Sequence, residues 1–171
     1  MGVRQEELKR LEQYAKGLGV KVTYKKQKKD DPHAAWVVDG TEIILYTNNS
    51  QSITKLILNF CHELAHHKSW IKAGRIGDLK TNQALILDDE RKKGDPPLPK
   101  SKRKLIYETE KNDAMLWDEI IDEVGIKISK NRIELERQMD IWMYEYYYKK
   151  GEYPTTREAK EQKKELKYAI Y

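Results

Sequence analysis

The sequence predicts an α+β fold, and three observations support this. Apolar residues recur at helical spacing near the start of the chain, in its centre and over its last third. Segments 35–38 and 41–46 have strand character and meet across Asp39-Gly40, which is a strong hairpin signal. The length of 171 residues suits one domain with a single core. We therefore expect a small antiparallel sheet packed on helices, followed by a helical C-terminal extension.

The N-terminal elements follow from residue spacing and turn residues. Leu11 and Ala15 share one face of a helix predicted over residues 3–18, which Gly19 should end. Residues 20–24 then alternate with a period of two, as a strand does. Together with the hairpin, this segment completes the predicted sheet.

A central helix is predicted after the hairpin and ends near Gly74. Ile57, Phe60 and Leu64 recur on one of its faces at helical spacing. Four residues are able to cap its N-terminus: Asn48, Asn49, Ser50 and Ser52. The helix therefore has one apolar face to bury and an opposite face that is free to line a cleft.

The segment from about Leu87 to Lys104 has no periodicity, and its prolines disfavour regular structure. It predicts a mobile basic loop near residues 88–104. Its basic residues are Arg91, Lys92, Lys93, Lys100, Lys102, Arg103 and Lys104. Such a cluster would attract an acidic or extended partner surface.

Helices are predicted over most of the remaining chain. One should cover about residues 102–124 and end at Gly125, and Ser129 offers an N-cap to the next. The charged tail after a later proline is expected to be a solvated helix. The predicted organisation is a domain over residues 1–128 and a helical C-terminal extension over residues 129–171.

Composition and the N-terminal sequence limit the class of protein and its cellular location. The net charge of +5 at pH 7 argues only for a mild preference for acidic partners or nucleic acid. No apolar run approaches the roughly 20 residues that a membrane span needs. The N-terminus carries charge where a secretory signal would carry an apolar stretch, and a single cysteine cannot form an internal disulfide. We expect a cytoplasmic protein without a membrane span.

The segment His62-Glu63-Leu64-Ala65-His66 carries the clearest chemical signal in the sequence. Two histidines four residues apart lie on one face of a helix, where both imidazoles can bind one zinc ion. Glu63 points about 100° away from His62, so it is placed to act on a water molecule instead of on the metal. This is the HExxH pattern of zinc peptidases, with Zn²⁺ as the expected cofactor.

Catalytic zinc normally takes a third protein ligand. The helix after the basic loop offers three acidic candidates, Glu108, Glu110 and Asp113. His33 is the one histidine that lies far from the motif in sequence, and it precedes a strand, where a structural or exposed role is expected. The residues alone leave the choice among the three carboxylates open.

The chain resembles the ImmA/IrrE-type metallopeptidases, which are small gluzincins with a short sheet, an HExxH helix and a later glutamate-bearing helix. The resemblance covers roughly residues 5–125. In many members the glutamate opens a Glu-x-x-Ala stretch followed by a bulky apolar or aromatic residue. Glu110 to Ala114, followed by Trp117, is similar, with the alanine one position later.

The resemblance implies that Glu110, in preference to Glu108, is the third zinc ligand. It further implies a hydrolase that cleaves a specific partner protein such as a transcriptional repressor, often in a mobile element. One alternative is a regulatory or nucleic-acid-associated module with a non-catalytic zinc site. Another is a toxin-like hydrolase with a substrate other than peptide.

Several other residues have weaker signals. His67 is expected at the surface, beside the metal ligands as a supporting residue, or facing the substrate. Cys61 is expected in the core. Tyr46 and Tyr107 suit ordinary packing better than stabilisation of an oxyanion. The aromatic residues of segment 142–148 are expected to pack between helices and not to stack on nucleic acid bases.

Overall fold

The computed structural model of the chain describes residues 2–28, 32–75, 77–91 and 94–171. Within these ranges it contains seven helices and three strands, which confirms the α+β class. Their bounds are α1 Val3–Gly17, β1 Lys21–Lys26, β2 Ala34–Trp36, β3 Glu42–Thr47, α2 Ile53–Lys72, α3 Leu79–Asp89, α4 Lys100–Ala114, α5 Trp117–Val124, α6 Lys130–Lys150 and α7 Thr156–Ile170. No helix of the described ranges has the length and apolar character needed to cross a bilayer.

The chain divides into two compact units, each built from two segments. The first unit comprises Met1–Ile76 and Met115–Lys127, and the second comprises Gly77–Ala114 and Ile128–Tyr171. The predicted boundary near residue 128 coincides with one junction between them. Segment 77–114 was predicted to belong to the N-terminal domain, but it groups with the C-terminal helices.

The sheet of the first unit has the strand order β1-β3-β2. The predicted hairpin forms, with Ala34 opposite Leu45 in an antiparallel pairing. The prediction of a wholly antiparallel sheet is wrong, because β1 pairs with β3 in parallel, with Lys21 opposite Glu42. Since β2 occupies one edge of β3, β1 is left the other edge, where it runs in the same direction as β3.

The hairpin turn requires glycine for two reasons. Gly40 has a φ of +74°, in the left-handed region that side chains disfavour. A Cβ atom at this position would also lie only 2.5 Å from Cζ3 of Trp70 on α2. Gly40 therefore lets the turn lie directly against the central helix.

The core of the first unit is formed by one face of α1, the inner face of the sheet, α2 and α5. Its fully buried side chains include Leu11, Ile43, Ile57, Phe60 and Ile120. Helix α2 begins after Ser52, whose hydroxyl accepts a hydrogen bond from the Lys55 amide at 3.2 Å. One of the four predicted caps is thus used, and the predicted packing of the sheet on the HExxH helix is confirmed.

Helices α3, α4, α6 and α7 form the second unit, in which α4 packs on α3 and α6, and α7 packs on α6. Its core contains Ala84, Ile106 and Tyr147. The Tyr147 hydroxyl donates a hydrogen bond to Asp88 at 2.6 Å. Burial, reinforced by this bond, raises the pKa of Tyr147 to about 12. Ser129 occupies the N-cap position of α6, as predicted, but its hydroxyl makes no capping hydrogen bond. The tail helix is confirmed.

Two predictions for the middle of the chain are wrong. The single helix expected over residues 102–124 is broken into α4 and α5 at residues 115–116, where the chain passes from the second unit to the first. The irregular segment is also shorter than the expected loop over 88–104, because α3 extends to Asp89 and α4 begins at Lys100. The break at residues 115–116 has no glycine or proline signal, whereas Pro99 directly precedes the start of α4.

Two arginines of the predicted basic loop bind within the second unit. Arg91 donates hydrogen bonds to the Tyr147 hydroxyl at 2.8 Å and to the Asp95 carbonyl at 3.2 Å. Arg103 donates to the carbonyls of Tyr147 and Tyr148, each at 2.8 Å, at the C-terminal end of α6. Lys92 and Lys93 lie outside the described residues. Both arginines therefore contribute hydrogen bonds to the fold of the second unit.

Candidate metal centre

The HExxH segment lies in the middle of α2, where the helix is most deeply buried. The Nε2 atoms of His62 and His66 are 3.0 Å apart. One ligand atom from each of His62, Glu63 and His66 lies within 4.8 Å of the others. Glu63 is 7% exposed and His66 8% exposed, while His62 is half-buried. The structure thus brings together three of the predicted site residues.

The spacing of the two histidines fits a shared metal ion. Two nitrogens bound to a tetrahedral zinc at 2.0–2.1 Å lie about 3.3 Å from each other. The observed 3.0 Å separation is close to this value, so a small adjustment of either ring would place both on one ion. The set of two imidazole nitrogens and a nearby carboxylate is also one that zinc prefers.

Two tryptophans pack against the histidine rings. The ring of Trp36 on β2 stacks on His66, with centroids 6.1 Å apart and planes at 28°. The ring of Trp117, the first residue of α5, meets His62 edge to face at 5.8 Å and 78°. The two contacts come from different elements, β2 and α5, and they restrict the orientation of both imidazole rings. The rings are thereby pre-oriented for one ligand.

His67 belongs to the core, so the surface position that the sequence suggested is wrong. It is fully buried, and its Nδ1 atom accepts a hydrogen bond from the indole nitrogen of Trp36 at 3.3 Å. Its Nε2 atom lies 3.3 Å from the Leu18 carbonyl, so Nε2 carries the proton and donates it there. Burial lowers the pKa of His67, although the bond to Leu18 partly opposes this. His67 is a neutral structural residue.

Lys68 joins the three helices of the first unit one half-turn beyond His66. It is 9% exposed, and its Nζ atom lies 3.0 Å from the Tyr14 hydroxyl on α1. It also lies 2.9 Å from carboxylate oxygens of Glu119 and Glu123 on α5. Burial opposes the charge, but these partners outweigh it and raise the pKa of Lys68.

Cys61 precedes the motif and is completely buried. Burial raises the pKa of its thiol, and the nearby Glu7 carboxylate acts in the same direction. A protonated thiol is a poor metal ligand. Its predicted place in the core is confirmed.

The candidates for a third ligand all lie on α4, in the second unit. Glu110 and Asp113 are each 6% exposed. The side chain of Glu108 is 50% exposed and lies 3.5 Å from Lys104 on the same helix. Glu108 is therefore the exposed residue of the three, whereas Glu110 and Asp113 are buried.

The weaker candidates from the sequence are His33, Tyr46, Tyr107 and the aromatic residues of α6. His33 is exposed and contacts the Gln27 amide at 3.1 Å. Tyr107 stacks on Tyr148 with centroids 5.8 Å apart, while Tyr46 is half-buried on β3. The predicted aromatic packing cluster is present on α6, where Tyr147 is fully buried.

Sequence reasoning missed the contact of Trp36 with His66 and the contacts of Lys68 with α1 and α5. Trp36 lies on a different element from the motif, and no spacing rule connects the two. Lys68 stands in a polar stretch directly after the motif, so nothing in the sequence signals its burial. No family model, curated protein or solved structure matches the chain.

Proposed function

We propose that the chain is a zinc-dependent metallopeptidase whose zinc is held by His62 and His66, with Glu63 as general base. The observation that carries the proposal is the 3.0 Å separation of the two Nε2 atoms on a buried helix, with the Glu63 carboxylate beside them. A structural zinc site would have four protein ligands and no role for Glu63. This arrangement is instead the one that a hydrolytic site requires.

Glu110 is the proposed third ligand. Metal ligands are held in place by a surrounding shell of protein, which suits a buried carboxylate. Glu108 is half exposed and already paired with Lys104. Asp113 is as buried as Glu110, but the resemblance to ImmA/IrrE-type enzymes favours Glu110.

Zinc, when bound, would lower the pKa of a water molecule and polarise the scissile carbonyl. The Glu63 carboxylate would accept the proton of that water and pass it to the leaving amine. Because Glu63 is 7% exposed, little bulk water competes for the proton. His62 and His66 would keep their Nε2 atoms unprotonated, with the proton of each ring on Nδ1.

The proposed substrate is a specific partner protein, such as a transcriptional repressor, encountered in the cytoplasm. The alternative of a nucleic-acid-associated module relies on the basic loop and the lysine-rich C-terminal tail as its contact surface. Arg91 and Arg103 donate hydrogen bonds within the second unit, so these two side chains are less free to contact phosphates. Hydrolysis is preferred because the alternative leaves Glu63 without a role.

The test separates metal binding from catalysis with one substitution. Glu63→Gln keeps the size of the side chain but removes its basicity, so we expect one zinc per chain and a loss of hydrolysis of at least about a hundredfold. Zinc would be measured by elemental analysis, and hydrolysis on a mixed peptide library by mass spectrometry. Glu42→Gln on β3 is the matched control and should change neither. A wild-type chain without zinc would refute the proposal, and loss of zinc in Glu63→Gln would make Glu63 a ligand.

A further inference from the structure

Helix α7 presents three lysines and a tyrosine on one exposed face. Lys160, Lys164, Lys167 and Tyr168 follow each other at helical spacing, so they share a face, and all four are exposed. The three lysines, here called the lysine row, extend over about 10 Å of the helix axis. Tyr168 is 80% exposed, the highest fraction among the large hydrophobic side chains of the described ranges. This face of α7 is therefore basic, aromatic and open to solvent.

The fold of the second unit uses other charged residues of α7 but not the lysine row. Lys163 binds Glu136 on α6 at 2.8 Å, and Arg157 binds Glu161 at 2.9 Å. Within the part of the chain that the structure describes, the side chains of the lysine row form no ion pair or hydrogen bond. Their positive charge is therefore available to an anionic partner.

We propose that this face of α7 binds single-stranded nucleic acid. The ammonium groups of the lysine row suit backbone phosphates, and such contacts do not depend on base sequence. The exposed ring of Tyr168 offers a surface on which an unpaired base stacks. The surface lies wholly within the second unit, so the proposal is independent of the proposed hydrolysis on α2.

A single strand fits this face better than an anionic membrane or a duplex does. A helix that lies on a membrane needs an apolar face for the lipid. The apolar residues Ala159, Leu166 and Ile170 are instead half-buried on the side of α7 that packs on α6. A duplex keeps its bases stacked inside, which would leave Tyr168 unused. Each nucleotide of a single strand supplies a phosphate for the lysine row and a free base for Tyr168.

The first test measures the salt dependence of binding. The full-length protein would be titrated against a short fluorescein-labelled oligodeoxythymidylate, with fluorescence anisotropy as the readout. Three phosphate contacts predict a slope of about −2 for the logarithm of the association constant against the logarithm of salt concentration. Replacing the whole lysine row with glutamine, which is also a good helix former, should bring this slope close to zero and weaken binding at least about tenfold at low salt.

The matched control removes the same charge from the first unit. Lys9, Lys16 and Lys127 are exposed lysines there, and their joint replacement by glutamine should leave the slope and the affinity nearly unchanged. Equal weakening in the two triple variants would show that only net charge matters, and would overturn the proposal. So would an oligonucleotide that the wild-type protein does not bind at low salt.

The second test concerns the ring of Tyr168. Tyr168→Leu keeps an apolar side chain but removes the stacking surface, so we expect about tenfold weaker binding with an unchanged salt slope. Tyr168→Trp retains an aromatic ring and should bind at least as tightly as the wild type. Circular dichroism would verify that both variants keep the helical content of the wild type.

The remaining outcomes would assign this face to another partner or to none. Unchanged affinity in Tyr168→Leu, or equal affinity for inorganic polyphosphate, would indicate a surface for any polyanion and overturn the proposal. Sedimentation with phosphatidylserine vesicles that depends on the lysine row would assign the face to a membrane instead. None of these measurements uses the metal, so their failure would leave the proposed hydrolysis untouched.

Discussion

Replacing Lys68 with methionine should destabilise the unit that carries the candidate metal centre by roughly 2 kcal/mol. Lys68 is 9% exposed and has charged or polar partners at 2.9–3.0 Å on two helices. Breaking a fully buried ion pair typically costs about 3–5 kcal/mol. The side chains of Glu119 and Glu123 are 40% and 44% exposed, so water can solvate them after the change and lower that cost. Methionine preserves the packing of the aliphatic stem.

Lys72, one turn further along α2, is the matched control. Its side chain is 54% exposed and pairs with Glu119 at 3.1 Å, so Lys72→Met should cost less than about 0.5 kcal/mol. Thermal unfolding would register Lys68→Met as a fall in Tm of about 4–8 °C. Equal, small falls in Tm in the two variants would refute the reasoning that the buried contacts of Lys68 stabilise the unit.

The difference in stability between wild type and Lys68→Met should depend on pH in a defined direction. Hydrogen bonds from Lys68 to Glu119, and from Tyr14 and Lys68 to Glu123, lower the pKa of both carboxyl groups from 4.5. Their stabilisation is therefore full above pH 4.5 and is lost as pH falls through the lowered values. The pKa of Lys68 is raised from 10.5, so its contribution is full below that pH. The gap between wild type and Lys68→Met should be constant near neutrality and shrink in acid.

Two further predictions concern the third ligand and the substrate. Glu110→Ala should lower zinc content sharply in elemental analysis, whereas Glu108→Ala should not; the reverse result would move the ligand to Glu108. The wild type should leave casein largely intact, and serine at Lys100, Lys102 and Lys104 should slow cleavage of the true partner, most strongly at low salt, without loss of zinc. Brisk, zinc-dependent casein digestion that these substitutions do not affect would indicate a general peptidase.

Local signals in the sequence were sufficient for most individual elements. The Asp39-Gly40 turn, the Ser52 cap and the Gly125 helix end are all set by residues close in sequence, and all three are present. Pairing of β1 with β3 depends instead on which edge of the sheet a strand reaches. The break at residues 115–116 similarly depends on which unit the chain enters. Neither the strand pairing nor the helix break can be predicted from the spacing of nearby residues.

The candidate site shows the same division. His62, Glu63 and His66 could be grouped from sequence because one helix sets their mutual positions. Trp36 and Trp117 come from β2 and α5, and only the folded unit brings them to the histidine rings. Pattern rules detect residues that share an element, whereas contacts between elements require the structure.

The burial of α2 bears on whether its motif arose by accident. An accidental pair of histidines would be tolerated most easily on a solvated helix face, where neither ring needs a partner. Here Glu63 and His66 lie in a run of buried residues, and burying polar groups is costly unless they are bonded or hold an ion. His67 meets that requirement through Trp36 and Leu18, both within the fold. The Nε2 atoms of His62 and His66 lie within hydrogen-bonding distance of each other, at 3.0 Å, and a shared metal ion would stabilise the same arrangement.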